Sequence, residues 1–132
     1  LTLPGNVPGS TVNPQRGEVW HVRLEPTEGA EQGKARPVIV LGVAGVGRAG
    51  IHVCVPLMGF QLSHAGRFWL VPVDASEQNG LGKLSTADAT QVRALDVLRF
   101  EHRIGTLEAE HVQAVADTLA VCVGAAPPTS ST

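Results

Sequence analysis

The sequence has no apolar run approaching the roughly 18 residues that a membrane-spanning helix requires, so no helix is expected to cross a bilayer. Its first residues lack the charged start and long apolar centre of a secretory leader. Leu1 is not an initiator Met, as expected of a trimmed or processed chain. An excess of positive charge is also missing: the net charge is −2 and the pI is near 6.2. That argues against sequence-independent adhesion to nucleic acid, which needs a broad basic face, and leaves room for a local basic cleft. There are only two cysteines, Cys54 and Cys122, each set between valines. The expectation is two buried thiols in a reducing cytoplasm, with a disulfide as the alternative. No Cys/His spacing resembles a zinc site. Gly45, Gly47 and Gly50 surround Arg48, but the Lys-Ser/Thr pair and following helix of a phosphate loop are absent.

What is present is 132 residues, 43% of them hydrophobic, enough for one domain with one core. Residues 1–14, with Pro4, Gly5, Pro8, Gly9 and Pro14, read as an irregular arm. Residues 15–124 read as the folded domain, and 125–132, with Pro127-Pro128, as a flexible tail. The chain is organised around Glu31 to Leu41. The first half of that stretch is polar and contains Gly33, so it reads as a loop. Val38 to Leu41 is a β-branched apolar run that reads as a buried strand. Arg36-Pro37 sits at the junction. Pro37 has no N–H for a ladder and biases Arg36 toward extended geometry. The guanidinium is either an anion site where a loop meets a rigid sheet or a surface partner of Glu31.

Strands are expected at Glu18 to Leu24, Arg36 to Val43, Ile51 to Leu57 and Phe68 to Val73. In the first, Trp20, Val22 and Leu24 should face the core, and His21 should face solvent. His52 reads as a packed or edge histidine, and Pro72 marks an edge strand. Met58 to Arg67 reads as a long loop, Asp74 to Leu81 as a turn, and Gly82 to Leu95 as one bent strand or two short ones. Asp96 should cap a helical turn running to Phe100. The clearest helix is Thr106 to Val123, with Thr106 at the N-cap and Gly124 as the stop. Its apolar stripe is Leu107, Val112, Val115, Leu119, Cys122 and Val123. Short strands with glycine-rich connections and one closing helix imply an α+β domain with a strongly bent antiparallel sheet.

Taken in order, these segments resemble the MazF/PemK family of bacterial toxins. Arg16-Gly17-Glu18-Val19-Trp20 resembles the family's opening strand. Residues 26–38, from Pro26-Thr27 through Glu31-Gln32 to Arg36-Pro37-Val38, resemble its P-T-x-G-x-E-Q-x-x-x-R-P-V signature. Val55-Pro56-Leu57 resembles its V-P-L segment, and Gln91-Val92-Arg93 with Asp96 its D-Q-V-R-T-x-D segment. The resemblance implies an SH3-like barrel with a C-terminal helix, and a homodimer. It implies a cytoplasmic endoribonuclease that cuts single-stranded RNA at a short sequence with neither metal nor cofactor. It also implies a partner antitoxin, MazE-like, whose acidic tail lies across the RNA site.

That reaction needs a base for the 2′-hydroxyl proton, an acid for the leaving 5′-oxygen, and fixed positive charge. On the resemblance, Arg36 and Glu31 are the catalytic candidates. Arg36 would hold phosphate oxygens in its fork, and Glu31 would act as base. The RNA contacts would come from Lys34, Arg48, Phe60, His64, Arg67, Lys83, Thr90, Gln91 and Arg93, and Thr90, Ser63 and His64 are the candidates to carry the activity where the usual donors are replaced. Arg93 also has a structural reading, as an ion pair with Asp96. The chain departs from the family where Met58 replaces the usual Thr or Ser after V-P-L, and at Ala30, Asp88 and Thr90. Losing one hydroxyl donor from such a site costs on the order of 3 kcal/mol in the transition state. A member that binds RNA or antitoxin without efficient cleavage is therefore the alternative. A gyrase poison on the same fold is a third reading, disfavoured because residues 123–132 contain no aromatic side chain.

Overall fold

β-branched runs punctuated by proline and glycine give this chain its strands. In a computed structural model they form a seven-stranded antiparallel sheet closed off by one helix. The structure describes residues 12–24 and 35–125. The expected arm up to residue 11, the loop 25–34 with Glu31 and Lys34, and the tail from 126 lie outside the described residues. The strands are β1 (Glu18–Arg23), β2 (Ala35–Val40), β3 (Ile51–Gly59), β4 (Leu70–Val73), β5 (Ser85–Asp88), β6 (Arg93–Asp96) and β7 (Phe100–Thr106). The helix α1 spans Ala109–Cys122.

The sheet runs β4-β5-β3-β2-β1-β7, with β6 pairing to β3 off this path. Pro72 lies on the edge strand β4, where a missing N–H does no harm. The sheet is a strongly bent, unclosed relative of a small barrel, and both of its faces are covered. On one face Val19, Ile39, Leu57 and Val73 pack with Val112 and Val115 of α1. On the other, Trp20, Val22, Val38, Cys54 and Leu95 surround Phe100. The expected inward set of β1 therefore needs correction. Trp20 and Val22 are buried, but so is Val19, in the core beneath α1, while His21 is half-buried and Arg23 exposed on the same strand. His52 packs its ring edge against Phe100 at 5.5 Å, and burial lowers its pKa.

Gly82 to Leu95 resolves into the two short strands β5 and β6, joined by a 3₁₀ turn at Ala89–Gln91. Asp96 caps the next turn, Val97–Arg99, by accepting from the Leu98 N–H at 2.8 Å. The strand β7 was not expected, and it displaces the helix start. Thr106 ends β7 opposite Glu18, so it does not cap α1; Glu108 occupies that position. At the other end Gly124, with φ +84°, donates to the Val121 carbonyl while Ala125 donates to Ala120. That is the left-handed glycine stop expected from the sequence. Val123 is 72% exposed and falls outside the buried stripe. Cys54 is buried and Cys122 half-buried, and both thiols are free.

Glu108 is held in place from the turn after β4. Ser76 Oγ donates to its Oε2 at 2.6 Å and Asn79 Nδ2 to its Oε1 at 3.0 Å. These bonds, Ser76's foremost, hold its carboxyl below the ordinary carboxylate value. The folded state thus resists protonation more than the unfolded state does. The resulting stability is present above the unfolded pKa and is lost as pH falls through the depressed one. The melting temperature is expected to drop as pH falls from about 5 toward 3, and Glu108→Gln to flatten part of that drop. Melting curves across that range provide the check.

Candidate active site

The cleft arises where the outer edge of β3 changes partner. Residues Ile51 to Cys54 pair with β6, and Leu57 to Gly59 pair with β5. Pro56 falls in the gap between the two pairings, where a residue without an N–H is tolerated. The chain crosses that gap through the turn Ala89–Gln91, leaving a hollow of about 290 Å³. Pro56, Leu57 and Met58 form one wall, and Asp88, Gln91 and Arg93 the other. Arg36 on β2 and Leu24 after β1 close the end. Arg36 also lines an adjoining hollow with Gly59, Lys83 and Ser85.

Arg36 is exposed at this rim, opposite Val22 in the β1 ladder and one residue before Pro37. The pairing of β2 with β3 begins at Val38, so Arg36 sits beyond that ladder. Neither Arg36 nor Arg93 makes an ion pair among the described residues. The expected Arg93–Asp96 pair is not formed, because Asp96 is turned to cap the following turn. The cleft thus carries two guanidinium groups against one carboxylate, Asp88, in a chain whose net charge is −2. Cys54, beside Arg93, is no nucleophile: burial pushes its thiol up to about 12 despite the nearby cation.

Arg36, Gln91 and Arg93 are brought together. Thr90 stands next to the cleft with its hydroxyl donated to Asp88 Oδ1 at 2.6 Å. Phe60 and His64 pack edge to face at 5.8 Å beyond the end of β3. His64 Nδ1 is 2.9 Å from the hydroxyl of Thr86 and accepts from the Gln61 N–H at 3.1 Å. Thr86 in turn lies across the ladder from Met58. Arg67 donates to the Ser63 carbonyl at 2.9 Å and covers the Trp69 ring at 5.8 Å. Arg48 lines a different hollow, formed by residues 13–16 and 42–53, and does not reach the cleft. Glu31 and Lys34 lie outside the described residues. Sequence reasoning did not place Leu24 and Pro56 in the wall. Pro56 was visible as a break in ladder donors, but its consequence depends on which strands flank it.

The fold is thus a bent antiparallel sheet with a terminal helix and a groove, lined by Arg36 and Arg93, where its strands change partner. Residues 15–123 match the family described as PemK-like, MazF-like toxin of type II toxin-antitoxin system, and the chain belongs to that family. Among solved structures it is similar to MazF from Deinococcus radiodurans, at 25% identity over 84% of this chain and 96% of that one, with a TM-score of 0.66. It is similar to the same organism's MazE–MazF complex at 26% identity, over 84% and 96% of the two chains, with a TM-score of 0.67. An endoribonuclease in complex with its cognate antitoxin, from a mycobacterial species, shares the fold at 19% identity. That match covers 88% of this chain and all of the other, with a TM-score of 0.67.

Proposed function

We propose that this protein is the toxin of a toxin–antitoxin pair, an endoribonuclease that cuts single-stranded RNA without a metal. The 2′-hydroxyl of the substrate attacks the adjacent phosphorus and the 5′-oxygen leaves, giving a 2′,3′-cyclic phosphate and a 5′-hydroxyl. The observation that carries this reading is the exposed Arg36 guanidinium at the mouth of the cleft, without an ion pair among the described residues and sharing the cleft with Arg93 and Gln91. Arg36 meets the charge that develops on the phosphoryl oxygens in two-point geometry. Glu31, five residues earlier in the chain, is the general base in this reading. Arg93, Gln91, Lys34 and Lys83 hold the RNA backbone, and Phe60, His64 and Trp69 offer faces on which bases stack. Residues 15–124 form the working unit, in the cytoplasm.

The same groove suits the acidic tail of an antitoxin, since both ligands are extended anions. The solved MazE–MazF complex of the Deinococcus protein supports such a partner. A homodimer belongs to the same reading, and exposed Val53 and Leu98, the latter 88% accessible, offer it apolar contact surface. No described helix is long and apolar enough to cross a membrane.

Two features favour a second reading, binding without efficient cutting: Met58 lines the cleft with a thioether where a hydroxyl donor would serve, and the Thr90 hydroxyl is engaged by Asp88. Mapping RNA ends after incubation with a chelator decides between them. Cyclic phosphate facing 5′-hydroxyl ends is the expected result. Intact RNA that is nevertheless bound would establish the second reading.

A further inference from the structure

We propose that His21, Glu101 and His102 form a binding site for a divalent transition-metal ion of the zinc type, on the surface where β1 and β7 pair. Their ligand atoms all lie within 4.8 Å of one another. His21 Nδ1 and Glu101 Oε1 are 3.1 Å apart. Two ligands held 2.0–2.1 Å from one ion, at angles between a right angle and the tetrahedral angle, stand about 2.9–3.4 Å apart. An ion bound to both sits about 1.3 Å to the side of the line joining them, so a small tilt of the ring and the carboxylate brings their lone pairs onto it. The His102 ring is stacked on that of His21 at 4.9 Å, with 29° between the planes. His102 is exposed, so a side-chain rotation brings its nitrogen to the same ion.

A break in strand register assembles this group. Trp20 pairs with Arg103, His21 with His102, and Val22 with Phe100, so Glu101 is an extra residue on β7. In an unbroken strand residues 101 and 102 would face opposite sides of the sheet. The bulge brings both toward His21. A second irregularity, between Val19 and Trp20, brackets the pair from the other side. No spacing along the chain reveals the group, because its members come from two strands 80 residues apart in sequence.

The donor set selects the ion. Two imidazoles and one carboxylate suit zinc, nickel or copper, whereas calcium and magnesium demand oxygen ligands. Arg23 Nη2, 3.3 Å from Glu101 Oε2, orients the carboxylate from behind. The bound ion would tie the edge strand β7 to β1. This proposal does not depend on the RNA reading.

Titrating the untagged full chain with zinc chloride, by calorimetry and by thermal melting, tests it. One zinc per chain is expected, with the melting temperature raised by roughly 5–10 °C at zinc a hundredfold above Kd. His102→Ala and the milder His21→Asn should each weaken binding at least about tenfold. His111→Ala, on α1 and remote from the group, should bind as the unmodified chain does. Melting without zinc verifies that each variant is folded. No heat and no shift at a hundredfold molar excess overturns the proposal. So does equal zinc affinity in the His102 variant, or an equal loss in the His111 variant.

Discussion

Arg36→Ala is expected to slow cleavage of single-stranded RNA by roughly 10²–10³-fold, the loss that follows removal of one group aimed at developing charge. The side chain is exposed and makes no ion pair among the described residues. Folding stability should therefore change by less than about 0.5 kcal/mol. The two outcomes together separate chemistry from folding. Arg36→Lys keeps the charge but loses the planar fork, so its rate should fall between the two. The converse change, Met58→Thr, places a hydroxyl in the same cleft wall and is expected to raise the rate. Single-turnover cleavage paired with urea denaturation measures all of these. A folded Arg36→Ala protein that cuts at the parental rate would remove Arg36 from the reaction and move the reacting site away from this cleft.

Gly105→Ala is expected to destabilise the fold by at least about 3 kcal/mol, at the upper end of what overpacking costs. A Cβ at 105 would stand 2.5 Å from the carbonyl carbon and oxygen of Asn79 and 2.6 Å from the Gln78 oxygen. All three are backbone atoms. Gly80 meets the same contact from the other side: its Cβ would lie 2.3 Å from the Ile104 oxygen, and its φ is +72°. The turn cannot retreat, because Thr106 donates to the Gln78 carbonyl at 2.9 Å and Asn79 is fully buried beneath it. The Asn79 amide is saturated. Its oxygen accepts from Ser76 and Leu81, and its nitrogen donates to Asp74 and Glu108. Shifting the turn would break the bonds of the fully buried Asn79 amide, which has no water to replace them. Gly82→Ala, where an added Cβ meets nothing within 4 Å, is the control and should be neutral or slightly stabilising. Denaturant melts compare the two. Equal midpoints would mean that the turn gives way freely.

Much of this molecule could be read from the chain alone. Val38-Ile39-Val40 and Val53-Cys54-Val55 announce buried strands, and Asp96 and Gly124 mark a turn start and a helix stop. The opening motif and the Glu31–Val38 stretch carried the family resemblance, and with it Arg36, Gln91 and Arg93, which share one cleft. Strand β7 escaped notice for a physical reason. Its two register breaks destroy the alternation by which a strand is recognised, and Glu101, His102 and Arg103 carry no apolar signal of their own. The capping role assigned to Thr106 failed with it, since a residue engaged in a ladder cannot also cap a helix.

Choices made within a few residues, such as extended or helical, capped or interrupted, follow from side-chain shape and backbone donors, and these are written in the local chain. Which residues meet across the sheet depends on register and on where an edge changes partner. The change of partner at Pro56 opens the cleft to Arg36 and Arg93, 57 positions apart. The bulge at Glu101 gathers His21 and His102 onto one face. Neither meeting has a local signature, because pairing energy is shared over whole strands and is settled only when both faces of the sheet are covered.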